Sequence, residues 1–144
     1  MEKRVSLQDY ADAVVVLIKL EGHRGTSGAR CAAQVLLSAY NGSEFQLNVT
    51  DLCNLSREYL DAAMTVIRGR VETGHEPHQV VKGGEGIFHA MWDRWDGLRV
   101  SERGKEICSD CYGTGKVYVN PNDESDERQK PCSRCGGKGR YWST

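Results

Sequence analysis

The chain has no long apolar run. Its longest, Ala13–Ile18, falls far short of the roughly 18 residues that cross a bilayer. It is also too short for a signal-peptide core, and Glu2, Asp9 and Asp12 precede it. The expectation is a cytoplasmic protein with neither signal peptide nor membrane anchor. Charge of one sign is missing too. A formal net charge of −1 gives neither the strongly basic footprint of a nucleic-acid binder nor the heavy acidity of a DNA mimic. Histidine is sparse, with four scattered residues. No nucleophile motif, carboxylate pair or His–Asp arrangement stands out, which argues against an enzyme and against a small-molecule substrate.

The chain does have the makings of a globular protein. Of its 144 residues, 39 % are apolar and 27 % charged, a balance unlike that of a disordered chain. The length suits one ordinary domain with a small appendage. Residues 1–98 carry 10 basic and 13 acidic side chains, and residues 99–144 carry 9 and 7.

Cysteine is plentiful, and four of the six stand in a repeated pattern. Cys108-Ser109-Asp110-Cys111-Tyr112-Gly113-Thr114-Gly115 is one copy, and Cys132-Ser133-Arg134-Cys135-Gly136-Gly137-Lys138-Gly139 is the other. Both read C-x-x-C-x-G-x-G, with twenty residues between Cys111 and Cys132. Each C-x-x-C holds two sulfurs on one side of a tight turn. Two such turns supply the ligands of a closed, tetrahedral structural zinc site. In a reducing compartment that reading is favoured over a disulfide or redox role. Gly113, Gly115, Gly137 and Gly139 let the backbone turn and aim amide N–H groups at the sulfurs. Cys31 and Cys53 lie in helical patterns among apolar neighbours, and each reads as a plain buried thiol.

Hydrophobic periodicity and caps predict the rest. Ser6 caps a helix over 7–20, and a second helix spans Ala29–Tyr40, stopped by Asn41-Gly42. The glycine-rich stretch Gly22–Gly28 between them reads as a connecting loop rather than a phosphate cradle, because it matches no phosphate-binding spacing. Phe45, Leu47 and Val49 alternate with polar residues as a short strand, paired with a second at Gln79–Lys82. Thr50 caps a single turn, and Ser56 caps a helix over 57–72. His75-Glu76-Pro77-His78 reads as a loop rather than a metal site. A last helix over 85–96 carries Phe88, Met91, Trp92 and Trp95, which either seal the core or form a protein-binding patch. The expected fold is mainly α with a short two-stranded β element: a helical body over 1–98 and a small zinc-hairpin module over 99–144. In that module, strands at 117–119 and 141–142 follow the two knuckles, and the acidic stretch 120–129 is exposed and mobile.

The doubled C-x-x-C-x-G-x-G resembles the cysteine-rich domain of DnaJ-type Hsp40 chaperones, which carries four repeats and two zinc ions. The resemblance implies one structural Zn2+ held by Cys108, Cys111, Cys132 and Cys135. Chaperone activity does not carry over, because the His-Pro-Asp signature of a J-domain and a Gly/Phe-rich linker are absent. Residues 33–77 faintly resemble short uncharacterised proteins of bacterial plasmids and phages.

These readings combine into a non-catalytic zinc-binding protein of a phage or mobile element. It would bind and modulate or inhibit a larger host or defence complex, such as a CRISPR effector or the transcription machinery. The residues expected to meet a protein partner are Phe88, Trp92, Trp95, Tyr118, Arg134, Lys138, Arg140, Tyr141 and Trp142. The alternative is a nucleic-acid-binding regulator that uses the zinc module or the Ser56–Arg70 helix.

Overall fold

A computed structural model describes residues 3–23, 25–102, 105–111 and 114–142, with the backbone alone described at 105–107 and 141–142. Arg24, in the glycine-rich loop, therefore lies outside the described residues. The chain is mainly helical, with small two-stranded antiparallel sheets toward its C-terminus. It divides into two compact units, 1–100 and 101–144. Among the described residues, no helix is long and apolar enough to cross a membrane.

The first unit is built on four helices: α1 (Leu7–Glu21), α2 (Ser27–Tyr40), α3 (Arg57–Thr73) and α4 (Gly84–Arg94). Helix α1 starts where Ser6 Oγ accepts the Asp9 N–H at 3.0 Å, and α2 starts where Thr26 Oγ1 accepts the Ala29 N–H at 3.1 Å. Each bond satisfies an amide that the first turn leaves without a helical partner. Helix α1 packs on α2 and α3, and α2 also meets α3 and α4. Their shared core holds Tyr10, Val14 and Leu17 from α1, Leu36 from α2, Val66 from α3 and Phe88 from α4.

Two features set the spacing of this body. Gly69 on α3 lies so close to the Tyr10 ring that a Cβ there would overlap it. Buried Glu21 accepts both Arg94 Nε at 2.9 Å and Trp95 Nε1 at 2.8 Å, tying the end of α1 to the end of α4. A carboxylate buried this deeply is tolerable because its oxygens are paired.

The expected strand pair inside the body does not form. Phe45 makes a single antiparallel bridge with Arg99, and Val49–Asn54 winds into a 3-10 turn. The Asn48 side chain caps that turn, while Gln34 accepts the Asn48 N–H at 2.8 Å and donates to Asp51 at 2.6 Å. Residues Pro77–Gln79 form another 3-10 turn, in which the Gln79 side chain accepts the Glu76 N–H. In the first place a side chain takes an amide that the ladder would have used; in the second the Gln79 N–H donates to the Glu76 carbonyl at 3.0 Å instead. Cys53 also differs from expectation: it is exposed on the 3-10 turn, whereas Cys31 is buried in α2.

The second unit holds β1 (Lys105–Ile107), β2 (Lys116–Tyr118), β3 (Gln129–Pro131) and β4 (Arg140–Trp142). They pair crosswise and antiparallel, β1 with β4 and β2 with β3. Lys105 lies opposite Trp142 and Gln129 opposite Tyr118. Each of these pairs maps onto the other by one offset, so the unit has an internal two-fold.

Candidate metal centre

The two knuckles join these strands, the first between β1 and β2 and the second between β3 and β4. Their four cysteines converge. Cys108 Sγ lies 3.8 Å from Cys132 Sγ, and Cys111 Sγ lies 3.7 Å from Cys135 Sγ; each pair is 24 residues apart. All four sulfurs fall within 4.8 Å of one another, and all four cysteines are buried. A tetrahedron with metal–sulfur bonds of about 2.3 Å has sulfur–sulfur edges of about 3.8 Å. The cluster therefore fits a metal ion at its centre.

The backbone supports the sulfurs symmetrically. The Gly115 N–H donates to Cys111 Sγ at 3.3 Å, and the Gly139 N–H donates to Cys135 Sγ at 3.1 Å. Both glycines sit at φ +79°. A Cβ on Gly115 would also collide with the Gly137 carbonyl of the other knuckle. The knuckles are cross-braced: the Cys108 N–H donates to the Gly139 carbonyl and the Cys132 N–H to the Gly115 carbonyl, both at 2.9 Å. Asp110 and Arg134, equivalent residues of the two knuckles, pair with each other at 3.3 Å. Apart from the four cysteines, the packing here consists of Val117 alone among the described residues.

The thiols do not titrate alike. Burial pushes the Cys135 thiol up, but the Gly139 amide, the Cys111 and Cys132 sulfurs and the Gly137 amide outweigh it and bring it down to about 7. At Cys132 the amides of Cys135 and Arg134 pull downward, while burial and the Cys108 and Cys135 thiols push upward, and the balance lies at about 11. Four thiolates this close repel one another, and a divalent cation at their centre removes that obstacle to ionisation.

The other expected site residues are scattered. Tyr118 is 52 % exposed, and Arg134 and Lys138 are also on the surface, with Arg140 half-buried. Tyr112 and Gly113 lie outside the described residues, as do the side chains of Tyr141 and Trp142. Phe88 is wholly buried, and Trp92 and Trp95 are half-buried against the same core, so this aromatic stretch belongs to the packing of the body. Phe45 and Trp92 meet edge to face at 4.8 Å. His78 packs edge-on against Tyr40, and among the described residues no second cluster of metal-type ligands forms.

The arginines of α3 have partners within the body, although Arg57 stays 89 % exposed. Arg57 pairs with Asp61, and Arg68 pairs with Glu72 and donates to the Lys3 carbonyl. Arg70 donates to the carbonyls of Ala39 and Gly74. The Asp110–Arg134 pair has a single signal in the sequence: both residues hold the third position of a C-x-x-C.

One family model matches residues 11–96, which is most of the helical unit and none of the cysteine repeats; it is described as a family of unknown function (DUF7673). No curated protein and no solved structure matches the chain.

Proposed function

We propose that this chain, which belongs to the DUF7673 family, is a non-catalytic zinc protein whose metal braces a platform for binding another protein. The observation that carries the reading is the buried cluster of four sulfurs with edges of 3.7 and 3.8 Å. Soft thiolate donors in a tetrahedron suit zinc, and one ion per chain fills the site. With four cysteine ligands no coordination position remains for water or substrate, which supports a structural role. A unit with so little apolar packing draws much of its folding free energy from the metal.

Two observations favour protein over nucleic acid as the partner. Two of the three arginines of α3, Arg68 and Arg70, are held by the body's own groups, and acidic residues interrupt the run of basic residues in the second unit. An inhibitory role against a host or defence complex, and a phage or mobile-element setting, rest on the sequence resemblance of residues 33–77 alone.

Elemental analysis of protein purified without added zinc tests the metal. The expected content is about one zinc per chain, lost in Cys108→Ser and Cys132→Ser while the helical circular dichroism of the body persists. Far less than one zinc in the unaltered chain refutes it. Cross-linking in cells with mass spectrometry tests the partner. Recovery of no stoichiometric protein, together with a salt-sensitive shift of random DNA or RNA, would replace the protein reading with a nucleic-acid one.

A further inference from the structure

Along β2 the second unit has an open groove of about 640 Å³. Val117, Tyr118, Val119 and Pro121 supply its apolar wall, and Lys116 and Lys130 lie along it with one carboxylate, Asp110, which pairs with Arg134 at 3.3 Å. Tyr118 and Val119 are 52 % and 36 % exposed, although the unit has hardly any apolar core to which they could have been added. Among the described residues, neither lysine has an ion-pair partner, whereas Arg128 and Arg134 are held by Asp126 and Asp110.

Within β2 the outward backbone is open at Tyr118 alone, because Thr114 Oγ1 accepts the Lys116 N–H at 3.2 Å and donates to the Lys116 carbonyl at 2.9 Å. The Val119 N–H donates to the Arg128 carbonyl at 3.0 Å. By the alternation of an antiparallel ladder, the N–H and C=O of Tyr118 then point away from β3. That edge of β2 has no strand beside it among the described residues. Tyr118 and Pro121 also wall a second hollow of about 300 Å³, lined by Asp123, Glu124 and Glu127. The two side chains thus form a ridge between a basic groove and an acidic one. A polyanion crossing the ridge meets several carboxylates, while a short segment confined to the first groove meets the two lysines and a single carboxylate, Asp110, already paired with Arg134.

Resting on the reading that the chain binds protein, we infer that this groove takes an extended peptide segment of the partner in which an apolar side chain is flanked by acidic residues. The apolar side chain packs on Tyr118, Val119 and Pro121. The carboxylates pair with Lys116 and Lys130, and the segment's backbone pairs with Tyr118 along the free edge.

The zinc-loaded full chain, labelled for NMR, is titrated with a short synthetic peptide of alternating Leu and Asp, its Leu–Lys counterpart, and a thymidine oligonucleotide. The expected result is amide shifts from the Leu–Asp peptide confined to residues 116–121 and 129–130. Tyr118→Ala, and Lys116→Glu combined with Lys130→Glu, each weaken that binding by about tenfold or more with zinc content unchanged. Equal binding of the Leu–Lys peptide, or no response to any probe, overturns the inference. Oligonucleotide shifts at these amides without peptide binding overturn both the inference and the protein reading. A cross-linked partner that still co-purifies with the double lysine reversal overturns the groove alone and leaves the protein reading standing.

Discussion

Replacing Gly115 by alanine separates two costs that glycine avoids, provided Gly136→Ala is measured beside it. Both residues have positive φ, +79° and +65°. A side chain at either position therefore carries the left-handed penalty of about 1–2 kcal/mol. Their surroundings differ. Nothing lies near a Cβ on Gly136, whereas a Cβ on Gly115 runs into the Gly137 carbonyl. Displacing that carbonyl adds an overpacking cost of about 1–3 kcal/mol, giving about 2–5 kcal/mol for Gly115→Ala. Folding of a unit this small and metal binding are one equilibrium, so the cost emerges as lost zinc affinity. At 1.4 kcal/mol per tenfold, Gly115→Ala should weaken zinc binding by about 30-fold to several thousand-fold, and Gly136→Ala by about 5- to 30-fold. Competition against a chromophoric zinc chelator under reducing conditions measures both. Equal losses would refute the close approach of the two knuckles on which the reasoning depends.

Three further outcomes follow from the same geometry. In zinc-loaded protein an Ellman titration should find one fast thiol, exposed Cys53, then four more once a chelator strips the metal. Cys31, buried in α2 and pushed up to about 11 by burial and then by the Asp51 charge, should react only on denaturation; early reaction of Cys31 would contradict the packing of α2. Burial, and to a lesser degree the Glu76 charge, outweigh Arg70 and push the Tyr10 phenol up to about 12, while an unfolded tyrosine ionises near 10. The folded state thus disfavours the phenolate: this contribution to stability is complete below pH of about 10 and falls as pH rises toward about 12. Urea midpoints should drop over that interval in the unaltered chain and drop less in Tyr10→Phe, which loses about 1 kcal/mol at neutral pH with its hydrogen bond to the His75 carbonyl. Gly69→Ala should destabilise the body despite alanine's helix advantage of about 1 kcal/mol, because the new methyl overlaps the buried Tyr10 ring; an unchanged or raised melting temperature would show that α1 and α3 pack less closely.

Much of the local architecture is legible in the sequence because caps and periodicity act over a few residues. Ser6 and Asn41 mark the start of α1 and the end of α2, as their types suggest. The strand pair expected in the body is absent for a physical reason. Alternation at Phe45, Leu47 and Val49 is blind to the Asn48 amide taken by Gln34 and the Thr50 amide taken by Asn48; the 3-10 turn that starts at Val49 leaves that side chain 70 % exposed. Cys53 has apolar neighbours in sequence, yet the 3-10 turn directs it outward. The Phe88–Trp95 stretch reads mainly as core, with any exposed part as contact surface; how much is buried depends on Tyr40 and Phe45, which lie tens of residues away.

The amino-acid sequence by itself determined the candidate metal site, because the spacing within each C-x-x-C-x-G-x-G places two sulfurs on one turn. It also determined the mainly helical body, through repeats of apolar residues at helical spacing. Only the tertiary structure decided how the two knuckles meet. Crosswise pairing of β1 with β4 and β2 with β3 brings Gly115 against Gly137 and Asp110 against Arg134. Three-residue strands carry too little side-chain pattern to choose a partner, so the choice falls to long-range contacts: the four sulfurs and the amide braces between the knuckles. The same folding leaves Tyr118, Lys116 and Lys130 along one open groove, a juxtaposition across β2 and β3 that no local motif encodes.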